Sequence, residues 1–248
     1  MVKKKTYFVA GILIFITSLL VMMPARILST NIERILSNQT DLQVGKISGT
    51  IWNGQIETKF KDLPKTTLSW DISFISLIIG RLQANGELNG EGIESAFSLL
   101  ISSKKKEIKN LTAKIESHFL NELTIPYGLE LSERFSLQMP FIYLSSEWIT
   151  DLDGLVTWPG GTILIETPLQ KHHVNLPKLK GKISLSEESI LLDLSTEKIN
   201  LMRINLTKTG WLKTEIENSF LTLANLPFLD KTLRKSESPA LIIEEKIL

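Results

Sequence analysis

Cysteine does not occur in this chain of 248 residues. Its absence excludes a disulfide framework, a thiol nucleophile and a cysteine-ligated metal. A chain without thiols suits an oxidising and a reducing compartment equally. An excess of one charge is also lacking: the formal net charge of +1 removes the electrostatic footprint of a nucleic-acid binder. Histidine occurs three times. His172 and His173 are adjacent and point to opposite faces of an extended strand, and His118 has no acidic partner at motif spacing, so no metal is expected. Asp151-Leu152-Asp153-Gly154 begins like a calcium loop, but the position of the closing acid holds Thr162. It reads as a turn entering a strand. Gly-x-Ser-x-Gly, phosphate-loop and dinucleotide signatures are missing. The Asn-x-Thr triplets at Asn38, Asn110 and Asn205 are short enough to arise by chance. The chain offers no catalytic constellation, no cofactor and no small-molecule substrate.

The N-terminus carries more information. Lys3, Lys4 and Lys5 precede a stretch from Thr6 to Ala25 with no charged side chain. Roughly twenty helical residues reach about 30 Å, enough to cross a hydrocarbon core. The lysines keep their end cytoplasmic and leave the remainder outside. A cleaved signal peptide needs small residues before the cut, whereas cleavage after Ala25 puts Met23 and Pro24 there. An uncleaved anchor is therefore expected. The division that follows is a cytoplasmic tip over 1–5, an anchor over 6–25, an amphipathic helix over 26–40, a β domain over 41–235 and a tail over 236–248. Ile27, Leu28, Ile32, Ile35 and Leu36 supply the helical spacing of the third segment.

From Leu42 onward the hydrophobic period is mostly two, the mark of half-buried strands. The organising phrase is Gly49-Thr50-Ile51-Trp52-Asn53-Gly54, a β-branched and an aromatic residue between glycines, read as a buried strand. Gly154-Leu155-Val156-Thr157-Trp158-Pro159-Gly160 repeats it, with shorter echoes at Trp70 and Trp211. Trp52 and Trp158 are expected to be core anchors. Ser73 to Ile79, too apolar for an alternating strand, reads as a short helix or buried turn. Asn89-Gly90-Glu91-Gly92 and Ser186-Glu187-Glu188-Ser189 read as hairpin turns. Lys104 to Glu107 reads as a solvated hairpin tip, and 168–177 as a loop. The run from Phe135 to Tyr143 alternates, and Pro140 within it marks an edge strand or a bulge. Phe220 to Leu233 has a mixed helical period. The tail is frayed unless Leu241, Ile242 and Ile243 add a last edge strand. The class is mainly β, an antiparallel curved sheet or sandwich of two similar halves meeting near Pro126, preceded by one transmembrane helix.

The anchor ending in Pro24-Ala25, the phrase from Ile47 to Gly54, Leu68-Ser69-Trp70-Asp71-Ile72, Gly80-Arg81-Leu82 and the second tryptophan phrase together resemble type II secretion system protein N. The resemblance runs to about Trp211. It implies a single-pass inner-membrane protein with a periplasmic β domain, an accessory subunit in the export of folded proteins across the outer membrane. Its partners would be other secretion subunits, and no catalytic residues come with it. Gly49, Trp52, Gly54, Trp70, Gly154, Trp158 and Gly160 would be the structural motif residues. A competing class is an anchored envelope lipid carrier like the AsmA-like proteins, whose β-sheets curl into an apolar groove. Against it, such bridges need many strands to span a periplasm. For the secretion subunit, free sheet edges are the expected contacts, with Phe141, Tyr143 and Ile242 as their markers.

Overall fold

A computed structural model of the chain describes residues 2–28, 42–60, 63–103, 105–146, 148–166, 170–225 and 239–246. Helix α1 (Val2–Val21) forms from the apolar run, and its side chains from Tyr7 onward are exposed. Among the described residues no helix is long and apolar enough to cross a membrane. A 3-10 turn (Ala25–Leu28) follows. The remainder of the amphipathic helix expected over 26–40 lies outside the described residues.

The strands then run β1 (Leu42–Gly49), β2 (Asn53–Phe60) and β3 (Thr66–Ile72), with helix α2 (Phe74–Ile78) before β4 (Leu82–Gly90). Next come β5 (Ile93–Ile101), β6 (Lys106–Ile115), helix α3 (Ser117–Thr124) and a 3-10 turn (Ile125–Tyr127). Beyond it lie β7 (Leu129–Glu130), β8 (Phe135–Leu144), β9 (Ile149–Trp158), β10 (Gly161–Glu166) and β11 (Lys171–Leu176). The chain continues with β12 (Leu179–Ser186), β13 (Ser189–Ser195), β14 (Asn200–Thr207), β15 (Trp211–Ile216), helix α4 (Asn218–Leu223) and β16 (Leu241–Lys246).

Thirteen of these strands form one antiparallel sheet in chain order, with β7, β10 and β11 set aside in a small sheet of their own. Among the described residues the large sheet does not close on itself: β1 and β16 are its two outer strands. One row of cross-strand partners shows why the sequence folds this way. Ile47 faces Ile56, which faces Leu68, then Leu88, Ser95 and Ala113. The row continues through Leu137, Val156, Gly181 and Leu194, and through Met202 and Ile216 to Leu241. A neighbouring row on the other face holds Gln55, Ser69 and Glu87, and later Lys182, Asp193, Arg203 and Glu215 in alternating sign. Period two in each strand has thus been aligned by short turns into one apolar and one polar face.

The apolar face is only locally covered. The small sheet and α4 pack over its middle, where Trp158, Ile163, Val174, Leu176 and Ala224 form a core with Phe220 and Leu223. Ala25, Ile47 and Ile56 make a second cluster at the β1 end, and Met139, Ile142 and Leu152 a third under β8 and β9. The chain exposes 16741 Å², half again the about 11,000 Å² that a compact monomer of its mass would expose.

Several local expectations change. Ile51 and Trp52 belong to the tight turn between β1 and β2, not to a strand, because Gly49 turns the backbone at φ +87°. The strand holding Pro140 is not an edge: β8 lies between β6 and β9. The missing N–H is absorbed by a bulge, where the register with β9 shifts between Gln138 and Phe141. The expected loop over 168–177 contains β11, whose Val174 and Leu176 point into the core. Asp151 and Asp153 sit inside β9 and not in a turn. The tail is tied down at β16, which pairs with β15 from Leu241 to Lys246. Of the helical stretch from Phe220 to Leu233, α4 accounts for the start, and residues 226–233 lie outside the described ones.

Candidate interaction surfaces

The first surface is built around the β1–β2 turn. A Cβ on Gly49 would lie 2.5 Å from the Asn53 carbonyl oxygen, and one on Gly54 would lie 2.5 Å from Cζ2 of Trp70. The glycines therefore let two backbones and an indole meet. The Trp70 indole donates to the Ile51 carbonyl at 3.0 Å, and the Asn53 amide to Asp71 at 3.1 Å. Trp52 is half-buried rather than a core residue. Its indole donates to the Leu20 carbonyl at 2.8 Å, and Phe74 of α2 meets its ring edge-on at 5.1 Å. The Ile51 N–H donates to the Met23 carbonyl at 3.0 Å, and Thr50 bridges to Pro24. The end of α1, the turn and α2 thus form one platform.

The second tryptophan phrase serves a different purpose. Trp158 is 2% exposed, stacks on Phe135 at 5.9 Å and donates to the Ser132 carbonyl at 2.7 Å. Gly154 lies under Met139, and Gly160 turns at φ +97° against the backbone of Leu176 and Pro177. These residues fasten the small sheet to the large one. Trp211 is exposed at the start of β15.

Phe141 and Tyr143 stack at 5.0 Å on the polar face of β8, with the Lys105 ammonium 4.1 Å from the Tyr143 ring. Tyr143 faces Glu107 across the β6–β8 ladder. Lys104 to Glu107 is not all solvated tip: Glu107 is 1% exposed, ion-paired with Lys105 at 3.0 Å and Lys109 at 3.3 Å. Burial pushes the Glu107 carboxyl up, but the charge-assisted bonds from Lys105 and Lys109 outweigh it and hold the pKa below the usual range. The Lys105 ammonium is raised, chiefly by its bond to Glu107. Sequence reasoning missed this clamp, because a glutamate beside lysines reads as solvated.

The third surface is the outer edge of β16, which has no further strand beside it among the described residues and is exposed along its whole length, and where Ile242 continues the polar-face row opposite Glu215. Among the described residues no three acidic or histidine side chains converge as metal ligands. His172 and His173 follow one another in β11, opposite Ile165 and Leu164. An open hollow on the polar face, about 440 Å³, is lined by Ser48, Gln55, Ser69, Asp71, Asn85 and Glu87 among others.

The described residues thus form an open antiparallel sheet with a helical N-terminus and stacked aromatics on its polar face. Over residues 40–236 the chain matches type II secretion system protein N, and it belongs to that family. The family is an accessory component of the secretion machine in the cell envelope. No curated protein and no solved structure matches the chain.

Proposed function

We propose that this secretion subunit is a single-pass inner-membrane protein with a cytoplasmic N-terminus and a periplasmic sheet, acting by binding other subunits of the machine. The supporting observation is the outer side of β16, which pairs with no strand among the described residues and can accept a partner's strand through backbone hydrogen bonds. The three N-terminal lysines and the charge-free run support the topology, as does the exposure of the α1 side chains from Tyr7 to Val21. Phe141 and Tyr143 offer a second contact through the sheet face and not through an edge. In cells expressing the whole machine, a photocrosslinker at Ile242 should capture an envelope secretion subunit. A reporter active only in the periplasm, fused after Leu248, should be active. Silence of that reporter would overturn the topology, and capture of lipid alone would overturn the docking.

A second reading, that the sheet carries acyl chains, is favoured by one observation. The apolar row from Ile47 to Leu241 crosses all thirteen strands and is half-buried to exposed from Leu194 onward. Lipid co-purifying stoichiometrically with the full chain, and lost on replacing Leu194 and Met202 by serine, would support it.

A further inference from the structure

Helix α2 presents its residues the wrong way round for a soluble domain. Ser73 caps it, accepting from the Ser76 N–H, and the Ser76 hydroxyl reaches Ser73 at 3.0 Å and Gln83 of β4 at 3.3 Å. The polar side is thus turned toward the sheet. Ile75, Ile78 and Ile79, at the i, i+3 and i+4 spacing of one helix face, are 75%, 71% and 65% exposed. A short helix that bonds its serines inward and sends three isoleucines outward is matched to an apolar surrounding. Its position identifies which one. Phe74 holds α2 against Trp52, whose indole is bonded to Leu20 in the last turn of α1. Backbone bonds fix the same unit: Ile72 N–H to the Trp52 carbonyl, Ile51 N–H to the Met23 carbonyl and Ser73 N–H to the Gln83 carbonyl. The exposed face is therefore continuous with the point where the apolar helix meets the sheet. Indoles favour the boundary between acyl chains and water, where one end of the ring is wet.

We propose that α2 is a second membrane contact, its Ile75, Ile78 and Ile79 inserted into the acyl boundary of the phospholipid bilayer that α1 enters. The inference rests on reading α1 as the anchor. Two contacts on one rigid platform fix the tilt of the sheet over the bilayer, which a single helix followed by a swivel would not. They also hold the β1 end of the sheet at the lipid surface and direct β16 away from it.

The absence of cysteine allows single labels. Full-length chains carrying Ile75→Cys, Ile78→Cys, Leu13→Cys or Glu91→Cys, each with an environment-sensitive fluorophore, would be reconstituted into phosphatidylethanolamine–phosphatidylglycerol vesicles. Glu91 lies in the turn at the opposite end of β4 and reports free solvent. Probes at 75 and 78 should shift to the blue and lose most of their emission to lipids spin-labelled near the head group. Leu13 should respond most to a label deep in the acyl chain, and Glu91 to neither. Probes at 75 and 78 that behave like Glu91 overturn the inference, including the case where a protein partner covers α2. If Leu13 is still quenched, only the α2 contact falls; if Leu13 is also silent, the anchor falls with it. Quenching at 75 and 78 with Leu13 silent would keep α2 as a surface contact and remove the span.

Discussion

The indole nitrogen of Trp52 donates to the backbone carbonyl of Leu20 at 2.8 Å. Leu20 lies in the last turn of α1, where helix carbonyls have no partner within the helix. The bond therefore caps a helix end and fixes its direction relative to a sheet 32 residues further along the chain. Trp158, by contrast, spends its N–H on Ser132 inside the core. The two similar phrases do different work, and substitution should separate them. Trp52→Phe keeps a ring against Phe74 and should cost about 1 kcal/mol, the worth of one hydrogen bond. Trp158→Ala should cost ~3–5 kcal/mol. Thermal unfolding of the full chain in detergent compares them, and equal losses would refute the division of roles.

Gly54 and Trp70 make the next test. An alanine methyl at 54 would lie 2.5 Å from the Trp70 ring and 2.8 Å from the Thr50 carbonyl oxygen. Gly54→Ala should therefore destabilise by about 1–3 kcal/mol through overpacking. Part of that loss should return in Gly54→Ala/Trp70→Leu, where the ring is gone. A double-mutant cycle measures the coupling, and strict additivity would show that the backbone clash dominates.

Much of the sheet was legible because alternation is a local property. The hairpin read at Ser186-Glu187-Glu188-Ser189 forms there, with Leu185 facing Ile190 and Ile183 facing Leu192 across it. Helix α3 was not legible: Ser117 to Thr124 is short and polar, and only Phe119 is buried. The position of β8 escaped because proline signals a missing N–H but does not say whether an edge or a bulge absorbs it. Trp52 was misplaced because β-propensity favours a strand, whereas the positive φ of Gly49 decides a turn. The outward isoleucines of α2 were visible as an apolar run, but a sequence does not show which side of a helix meets the sheet. Glu107 was hidden among lysines, since its burial depends on β8 lying beside β6.

That burial gives a pH signature. The Glu107 carboxyl is held below its ordinary value in the folded chain, while the unfolded chain returns it to about 4.3. The unfolded state then binds more protons in the window between the two values. The contribution is full above the unfolded pKa and is lost as pH falls through the folded one. Lys105, raised by the same contact, contributes below about 10.4 and loses its part as pH rises through its folded value. Glu107→Gln should cost about 1–3 kcal/mol at neutral pH and flatten the acid limb of the stability curve. Parallel acid limbs in the two proteins would show that the clamp is not a net contributor.

The final test concerns β16. Ile242 lies on the polar face opposite Glu215, on a strand whose far side has no partner among the described residues. Ile242→Lys places a charge on an exposed edge, beside an acid it can pair with. The folded chain should tolerate it to within about 0.5 kcal/mol, as exposed substitutions do. An incoming strand would instead have to seat its neighbouring side chain against a cation, and edge lysines are a common means of refusing such pairing. Secretion by cells carrying Ile242→Lys should fall while the amount of subunit in the envelope stays unchanged. Ile242→Val, which keeps an apolar β-branched edge, should secrete normally. Full secretion with Ile242→Lys would move the partner contact away from this edge and toward the Phe141–Tyr143 face, where Phe141→Ala would be the next substitution to assay.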